Sequence, residues 1–432
     1  MDFDPVVDRT QPPKTEPFGH LEIVPQQVET LSNGVGIHFV ECGTQPVNRI
    51  VILWRLGKCD VKNPFATKLL PQLMLEGCEK FNGEEIADAV DFEGAWLNPR
   101  GEDYFTGFEL ISLNAKTQTL LELLSAIIKT PTFPESSFEA IKSKESARLR
   151  LNEVRTPIRA SRRLAQAMSG SDHPYQNKNT TEVLDKLTRE DIIDAWRFMN
   201  QYSHTDIFIG GLPDDNVKDS LREFALNLRD KPVPETEDLY MPFSPDKPDY
   251  IKLEIDGAKQ ASVAIGIPTI NRSHPDYIPL RMTVTALGGY FGSRLMTNLR
   301  EEKGLTYGIS ASLFGIRKDA YISIAADCDS KYVDEVIRNI GEEITKLATE
   351  PMDETELTRL KMYLGTMLAS TLDSPFAVTD NYIIQLTLEV PDDYFEQQQI
   401  ALKTLTAETI MKMTAKYLLP LSRSTTVVAL PS

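Results

Sequence analysis

An α+β chain made of two similar units is what this sequence predicts, and three observations lead there. The first half mixes strand-like and helix-like stretches, with helices crossing between strands. From Asp230 to Asp249, DKPVPETEDLYMPFSPDKPD carries five prolines and six acids and breaks every period, as a linker does. The pattern then restarts with a near-constant offset. Leu187-Thr-Arg-Glu190 recurs at Leu405-Thr-Ala-Glu408, and Glu135-Ser-Ser-Phe138 with Lys142 recurs, at almost the same distance along the chain, as Glu354-Thr-Glu-Leu357 with Lys361. The expected division is an irregular arm over 1–20, a first domain over 21–230, a linker over 231–249 and a second domain over 250–432.

In the first unit, turn chemistry at Leu31-Ser-Asn-Gly34 leads into Val35, Ile37 and Phe39 at period two, so His38 is expected to face solvent. Arg49 to Leu56 is a second, more continuously apolar strand. Pro64 opens a helical run from Phe65 to Glu76 that Gly77 stops, and another helix spans Gly83 to Phe92. Strands follow over Gly94 to Asn98 and Tyr104 to Leu113. The helical period then returns over Thr117 to Lys129, Glu135 to Leu151 and Arg189 to Asn200, with a short buried strand over Asp206 to Gly210. After the linker, strands are expected over Tyr250 to Ile255, Gln260 to Ile267 and Thr425 to Leu430.

The chain has 432 residues, 41% hydrophobic and 25% charged, enough apolar side chains for more than one core. Its net charge of −17 lacks the clustered basic excess that a phosphate backbone requires, and would receive a basic peptide better. Cys42, Cys59, Cys78 and Cys328 show no close pairing, so reduced structural thiols are expected rather than a thiolate zinc site. The acid- and proline-bearing start does not resemble a signal peptide and no window is apolar enough for a membrane span, which together point to a cytoplasmic protein unless a leader was trimmed.

The densest stretch is Gly288 to Leu313, GGYFGSRLMTNLREEKGLTYGISASL: a glycine break, a short amphipathic helix, a glycine stop and an alternating strand. Its segment Ser293 to Gly308 resembles the second-half signature of the M16 metallopeptidases, the insulinase, pitrilysin and mitochondrial-processing-peptidase group. Asn33-Gly34, Gly77 with Gly83-Glu-Glu-Ile-Ala87, and Gly94-Ala-Trp-Leu-Asn98 resemble the family's first half. The likeness covers about residues 25 to 430. It implies two homologous domains of the LuxS/MPP-like metallohydrolase fold, each a mainly antiparallel sheet with helices packed on one face.

Active members of that family carry HxxEH on the first long helix. Two His at i and i+4 share a helix face and reach one zinc, and the Glu between them activates the bound water. Counting back from Gly77 puts Lys68 at the first His, Pro71 at the Glu and Gln72 at the second His, so these are degenerate zinc-motif positions. The family's distal Glu, counted forward from the second His, falls at Leu149, with Glu145 and Glu153 within a small shift. The only histidines, His20, His38, His173, His204 and His274, never lie within five residues of one another, so no helical zinc pair can form.

Arg300 and Tyr307 match the second-half pair that, in the family, faces the zinc across a closed chamber. There the guanidinium binds the substrate backbone and the phenol donates to a developing oxyanion. Taken singly, Arg300 also reads as a cation at a helix end and Tyr307 as a core aromatic sharing the parity of Leu305, Ile309, Ala311 and Leu313. Together they imply a non-catalytic, substrate-binding subunit of a heterodimeric zinc peptidase. This chain would supply Arg300 and Tyr307 in trans to an M16 partner carrying HxxEH and zinc, with no cofactor of its own. A homodimer is the expected substitute when the chain is isolated. The alternative is a structural scaffold like the family members built into respiratory complexes, with no peptidase role.

Overall fold

The computed structural model of the chain describes residues 10, 19–170, 173, 179–234, 241–316, 318–419 and 421–432. Most of the expected N-terminal arm and the centre of the expected linker lie outside the described residues. The first half runs β1 (Gln27–Thr30), β2 (Gly36–Glu41), β3 (Val47–Trp54), α1 (Phe65–Met74), α2 (Gly83–Phe92), β4 (Trp96–Gly101), β5 (Thr106–Leu113) and α3 (Asn114–Lys129). It continues through α4 (Glu135–Glu153), α5 (Thr156–Ser169), α6 (Thr181–Asp185), α7 (Arg189–Tyr202), β6 (Thr205–Gly211) and α8 (Asp215–Leu226). In the second half come β7 (Tyr250–Ile255), β8 (Ala261–Thr269), α9 (Tyr277–Val284), β9 (Thr306–Ile316), β10 (Asp319–Cys328) and α10 (Val333–Thr349). α11 (Glu354–Ser370), α12 (Pro375–Thr387), α13 (Tyr394–Thr404), α14 (Ala407–Met413) and β11 (Thr425–Pro431) complete it. Two π-helical turns, Thr285–Gly289 and Met296–Glu302, separate α9 from β9.

The strands form two sheets, one ordered β1-β2-β6-β3-β5-β4 and the other β7-β11-β8-β10-β9. Each is antiparallel except for one pair, β2 with β6 and β11 with β7. The helix boundaries follow local chemistry. Asn82 with Glu85 and Thr188 with Asp191 form capping boxes at the starts of α2 and α7, satisfying amides that the first turn leaves unpaired. The expected helices over 65–76 and 83–92 are there, and in the first half β1, α5, α6 and α8 are additional to the expected elements.

Helices of its own half bury one face of each sheet. Ile50, Ile52 and Trp54 of β3 enter a core with Leu69 and Leu73 of α1 and Leu120 and Leu124 of α3, while Ile322 and Ile324 of β10 meet Val336 and Ile340 of α10. The other face of each sheet carries a helix from the opposite half, which the expectation of helices on one face did not include. Val378, Tyr382 and Ile383 of α12 pack on Val40, Val51, Leu53 and Phe208 of the first sheet. Reciprocally, Ala160, Leu164 and Met168 of α5 pack on Ala264, Tyr321, Val427 and Ala429 of the second. The close approach requires glycine. A Cβ at Gly210 would meet Thr379 and the Pro375 carbonyl, and one at Gly266 would meet Leu164 and Met168.

This exchange explains why β3 reads as a continuous apolar run, since both its faces are covered. It also overturns the solvent-facing expectation for His38, which is only 6% exposed. Its ring stacks on Phe208 at 4.2 Å, with Nδ1 3.0 Å from Gln26 Oε1 and Nε2 3.1 Å from Asp206 Oδ1. Polar anchors accompany the apolar ones. Arg49 of β3 bridges Glu109 of β5 and Asp380 of α12, each at 2.7 Å, and Tyr382 donates its hydroxyl to the Val24 carbonyl.

Candidate functional site

The degenerate zinc positions sit on α1, whose buried face is pressed against the first sheet. Pro71 is buried inside the helix and can donate no amide to the Thr67 carbonyl. That carbonyl is instead taken by the Thr106 hydroxyl of β5 at 3.1 Å, which is how the helix tolerates a proline where the family has its catalytic Glu. A pyrrolidine offers neither acid nor base. Gln72 turns back on its own helix, its Nε2 donating to the Lys68 carbonyl at 3.3 Å.

Lys68 does what the sequence did not foresee. Its Nζ lies 2.6 Å from Glu145 Oε1 on α4, and Arg148, one turn further along, donates to both Glu145 oxygens at 2.5 and 2.8 Å. The expected distal position, Leu149, is buried in the first core, and Glu153 pairs with Arg159 and Arg162. Glu145 is thus the residue facing the degenerate motif. It stands 77 residues from Lys68, whereas the sequence count began at Gln72.

The electrostatics of this cluster are those of a closed ion-pair network. Burial alone would raise the Glu145 carboxyl, but hydrogen bonds from Arg148 and Lys68 hold it below its ordinary value. Burial pushes the Lys68 ammonium down, Glu145 opposes only part of that, and Arg148 and Lys58 add to it. The asymmetry has a simple origin: one carboxylate collects two cations, while the ammonium shares its only acceptor. Zinc, which the family implies, does not fit here. An ammonium is ion-paired to the one available carboxylate, and among the described residues no cluster of three or more His, Cys, Asp or Glu side chains could hold a metal.

The second-half pair is displayed differently. The turn Met296–Glu302 is fixed from below by Leu295 and Leu299 in the core, by Asn298 donating to Glu343 at 2.8 Å, and by Lys303 bonded to Asn339 of α10. Arg294 forks onto both Glu356 oxygens of α11 at 2.8 and 3.1 Å. Arg300 projects from this platform, exposed and without an ion pair among the described residues, its guanidinium 5.3 Å from the Phe291 ring. Gly304, in the left-handed region at φ +62°, ends the turn.

Strand parity would send Tyr307 into the core with Leu305, Ile309 and Ala311, all of which are buried. Tyr307 is instead 77% exposed. Gly308 pairs with Asp327 and Thr306 with Cys328, so Tyr307 is the extra residue of a β-bulge. The Thr306 hydroxyl stabilises the bulge, donating to the Asp327 carbonyl at 2.6 Å and accepting from the Gly308 amide at 3.1 Å. Arg300 and Tyr307 thus share one corner of the second half, while Lys68, Pro71 and Gln72 lie on a helix of the first. No hydrogen bond or ion pair joins the two groups among the described residues. Sequence reading left Glu145 and Glu153 as alternatives within a small shift of Leu149, and the structure selects Glu145, 77 residues from Lys68; it missed Phe291 and the bulge.

Residues 186–364 match the family model described as the peptidase M16 inactive domain. Over those residues the chain is similar to the M16 peptidases. A relative in Bacillus subtilis, named "Probable inactive metalloprotease YmfF", is 22% identical over 89% of this chain and 94% of its own length. The Helicobacter pylori protein named non-peptidase homolog YmxG is 23% identical over 76% of each chain. In fold, the crystal structure of a peptidase M16 inactive domain from Pseudomonas fluorescens superposes with a TM-score of 0.83 at 20% identity, covering 94% of this chain and 98% of its own. The chain is therefore a homologue of inactive, non-peptidase M16 proteins. Among the described residues no helix is long and apolar enough to cross a membrane.

Proposed function

We propose that this chain is the non-catalytic, substrate-binding subunit of a heterodimeric M16 zinc peptidase. It presents Arg300 and Tyr307 in trans to a partner of similar fold that carries HxxEH and zinc. The observation that carries this reading is the bulge at Tyr307. A phenol turned out of its core-facing parity, with an exposed guanidinium on the preceding turn, a platform tied to α10 and α11, is an arrangement that serves a ligand better than it serves the fold. The guanidinium offers a fixed fork to peptide carbonyls and the phenol a donor to developing negative charge. The Lys68–Glu145–Arg148 network supports the division of labour, because it occupies the degenerate motif without offering a nucleophile, a base or a metal site.

The test is reconstitution with an HxxEH chain of the same family, assayed on a peptide. Tyr307→Phe should lower kcat about 100-fold, as loss of an oxyanion donor does, while the two chains still co-elute. Arg300→Ala should act chiefly on kcat/KM. Turnover unchanged by both substitutions in an assembled complex would sink the assignment in favour of a scaffold role.

A further inference from the structure

Beside the bulge, on the face of the second sheet that α5 only partly covers, lies a cleft of about 380 Å³. Alanines and serines make up much of its lining, with Met296 and Ile309 among the rest. Ala160 and Ser161 come from α5, Ser310 from β9 and Ala325 from β10, and the space exists because none of them reaches across it. Gly308, the residue after Tyr307, opens it further, since a Cβ there would meet nothing within 4 Å. Among these lining residues a single ionisable group, Asp327, faces the cleft.

Asp327 has a defined pose and no counter-charge among the described residues. Ser262 Oγ donates to its Oδ1 at 2.5 Å and lies 2.9 Å from Thr156 Oγ1 at the start of α5, so the carboxylate is tied to the helix that forms the opposite wall. No lysine or arginine among the described residues pairs with it, and its second oxygen accepts no hydrogen bond from them. A carboxylate that is oriented, half-buried and unpaired, in a volume of the size that takes ligand groups, matches a cation on a slender stem. A chain with a net charge of −17 adds a favourable field for such a group.

We propose that this cleft is a side-chain pocket of the peptide-binding surface, and that Asp327 selects a lysine or arginine of the bound peptide there. The inference rests on the substrate-binding reading of Tyr307 and extends it to specificity. A residue on a strand-like peptide lying past Tyr307 would place its stem between Ala160 and Ala325 and its charge at Asp327.

The experiment uses the full chain and two dye-labelled, alanine-rich peptides that differ only in a central lysine or its uncharged isostere norleucine, read by fluorescence anisotropy. The lysine peptide should bind about ten-fold more tightly. Asp327→Asn, which keeps an acceptor for Ser262, should erase that ratio, and Ser310→Lys, on the exposed side of β9, should invert it without depending on how Asp327→Asn folds. Equal binding of the two peptides, or a preference that survives both variants, overturns the pocket while leaving peptide binding intact. Failure of both peptides to bind overturns the pocket and the substrate-binding reading together.

Discussion

Glu145 is 9% exposed at its side chain and still favours the charged form, because Lys68 and Arg148 offset its desolvation. Its folded value lies below the ordinary carboxyl value. The stabilisation is therefore fully present above the ordinary glutamate range and is lost as pH falls through the depressed folded value. We expect Glu145→Gln to be destabilised by about 1–3 kcal/mol near neutral pH and to lose less stability than the parent on acidification, read from urea midpoints at pH 6 and pH 3. Lys68→Ala should cost less, about 1 kcal/mol, since Arg148 still holds the carboxylate and Lys68 is one-third exposed. What was legible beforehand is that Lys68 places a cation at the motif and that Glu145 or Glu153 lies within a small shift of the distal position. The choice between them was hidden because a spacing along the chain has meaning only from the right starting residue, and the contact itself joins α1 to α4 across 77 residues.

At the scale of elements, the departures from sequence expectation share a cause: local alternation reports which way a side chain would point, not what lies on that side. Taken singly, the parity of Tyr307 points to the core, whereas its pairing with Arg300 in the resemblance implies a projecting phenol, and one inserted residue reverses the parity. The Thr306 hydroxyl is the local prop of that bulge, so Thr306→Val should cost about 1–2 kcal/mol. It should also lower the quenching of Tyr307 fluorescence by acrylamide, measured against Tyr307→Phe, as the strand regains regular register. His38 alternates as a solvent-facing residue would, yet it stacks on Phe208 on the sheet face that α12, a helix from the far half of the sequence, covers. The exchange of α5 and α12 has no periodic signature, although the near-constant repeat offset places the two at corresponding positions, Thr156–Ser169 and Pro375–Thr387. What was legible is what local physics decides: the capped starts of α2 and α7, the strands of continuous apolar residues, and the Pro64 and Gly77 boundaries of α1.

Seen as a whole, the molecule is two sheet-and-helix layers, each closed by a helix from the other, so neither half buries its second sheet face alone. Arg49 is the polar rivet of one side, its buried guanidinium joining β3, β5 and α12. Arg49→Met should destabilise the chain by about 2–4 kcal/mol, because Glu109 loses its main counter-charge, and should speed hydrogen exchange most in α12 and the facing strands. The same architecture separates folding from metal in the proposed complex. Within this chain Lys68 is held by an internal ion-pair network, so under the proposed reading its stability should not depend on zinc, whereas the chemistry of the proposed HxxEH partner should. Treating the reconstituted complex with a chelator should therefore abolish peptide turnover while leaving the Tm of this subunit, measured alone under the same treatment, unchanged. A fall in that Tm would mean that a metal sits in this chain, and the assignment of Lys68 and Glu145 as a closed pair would have to be abandoned.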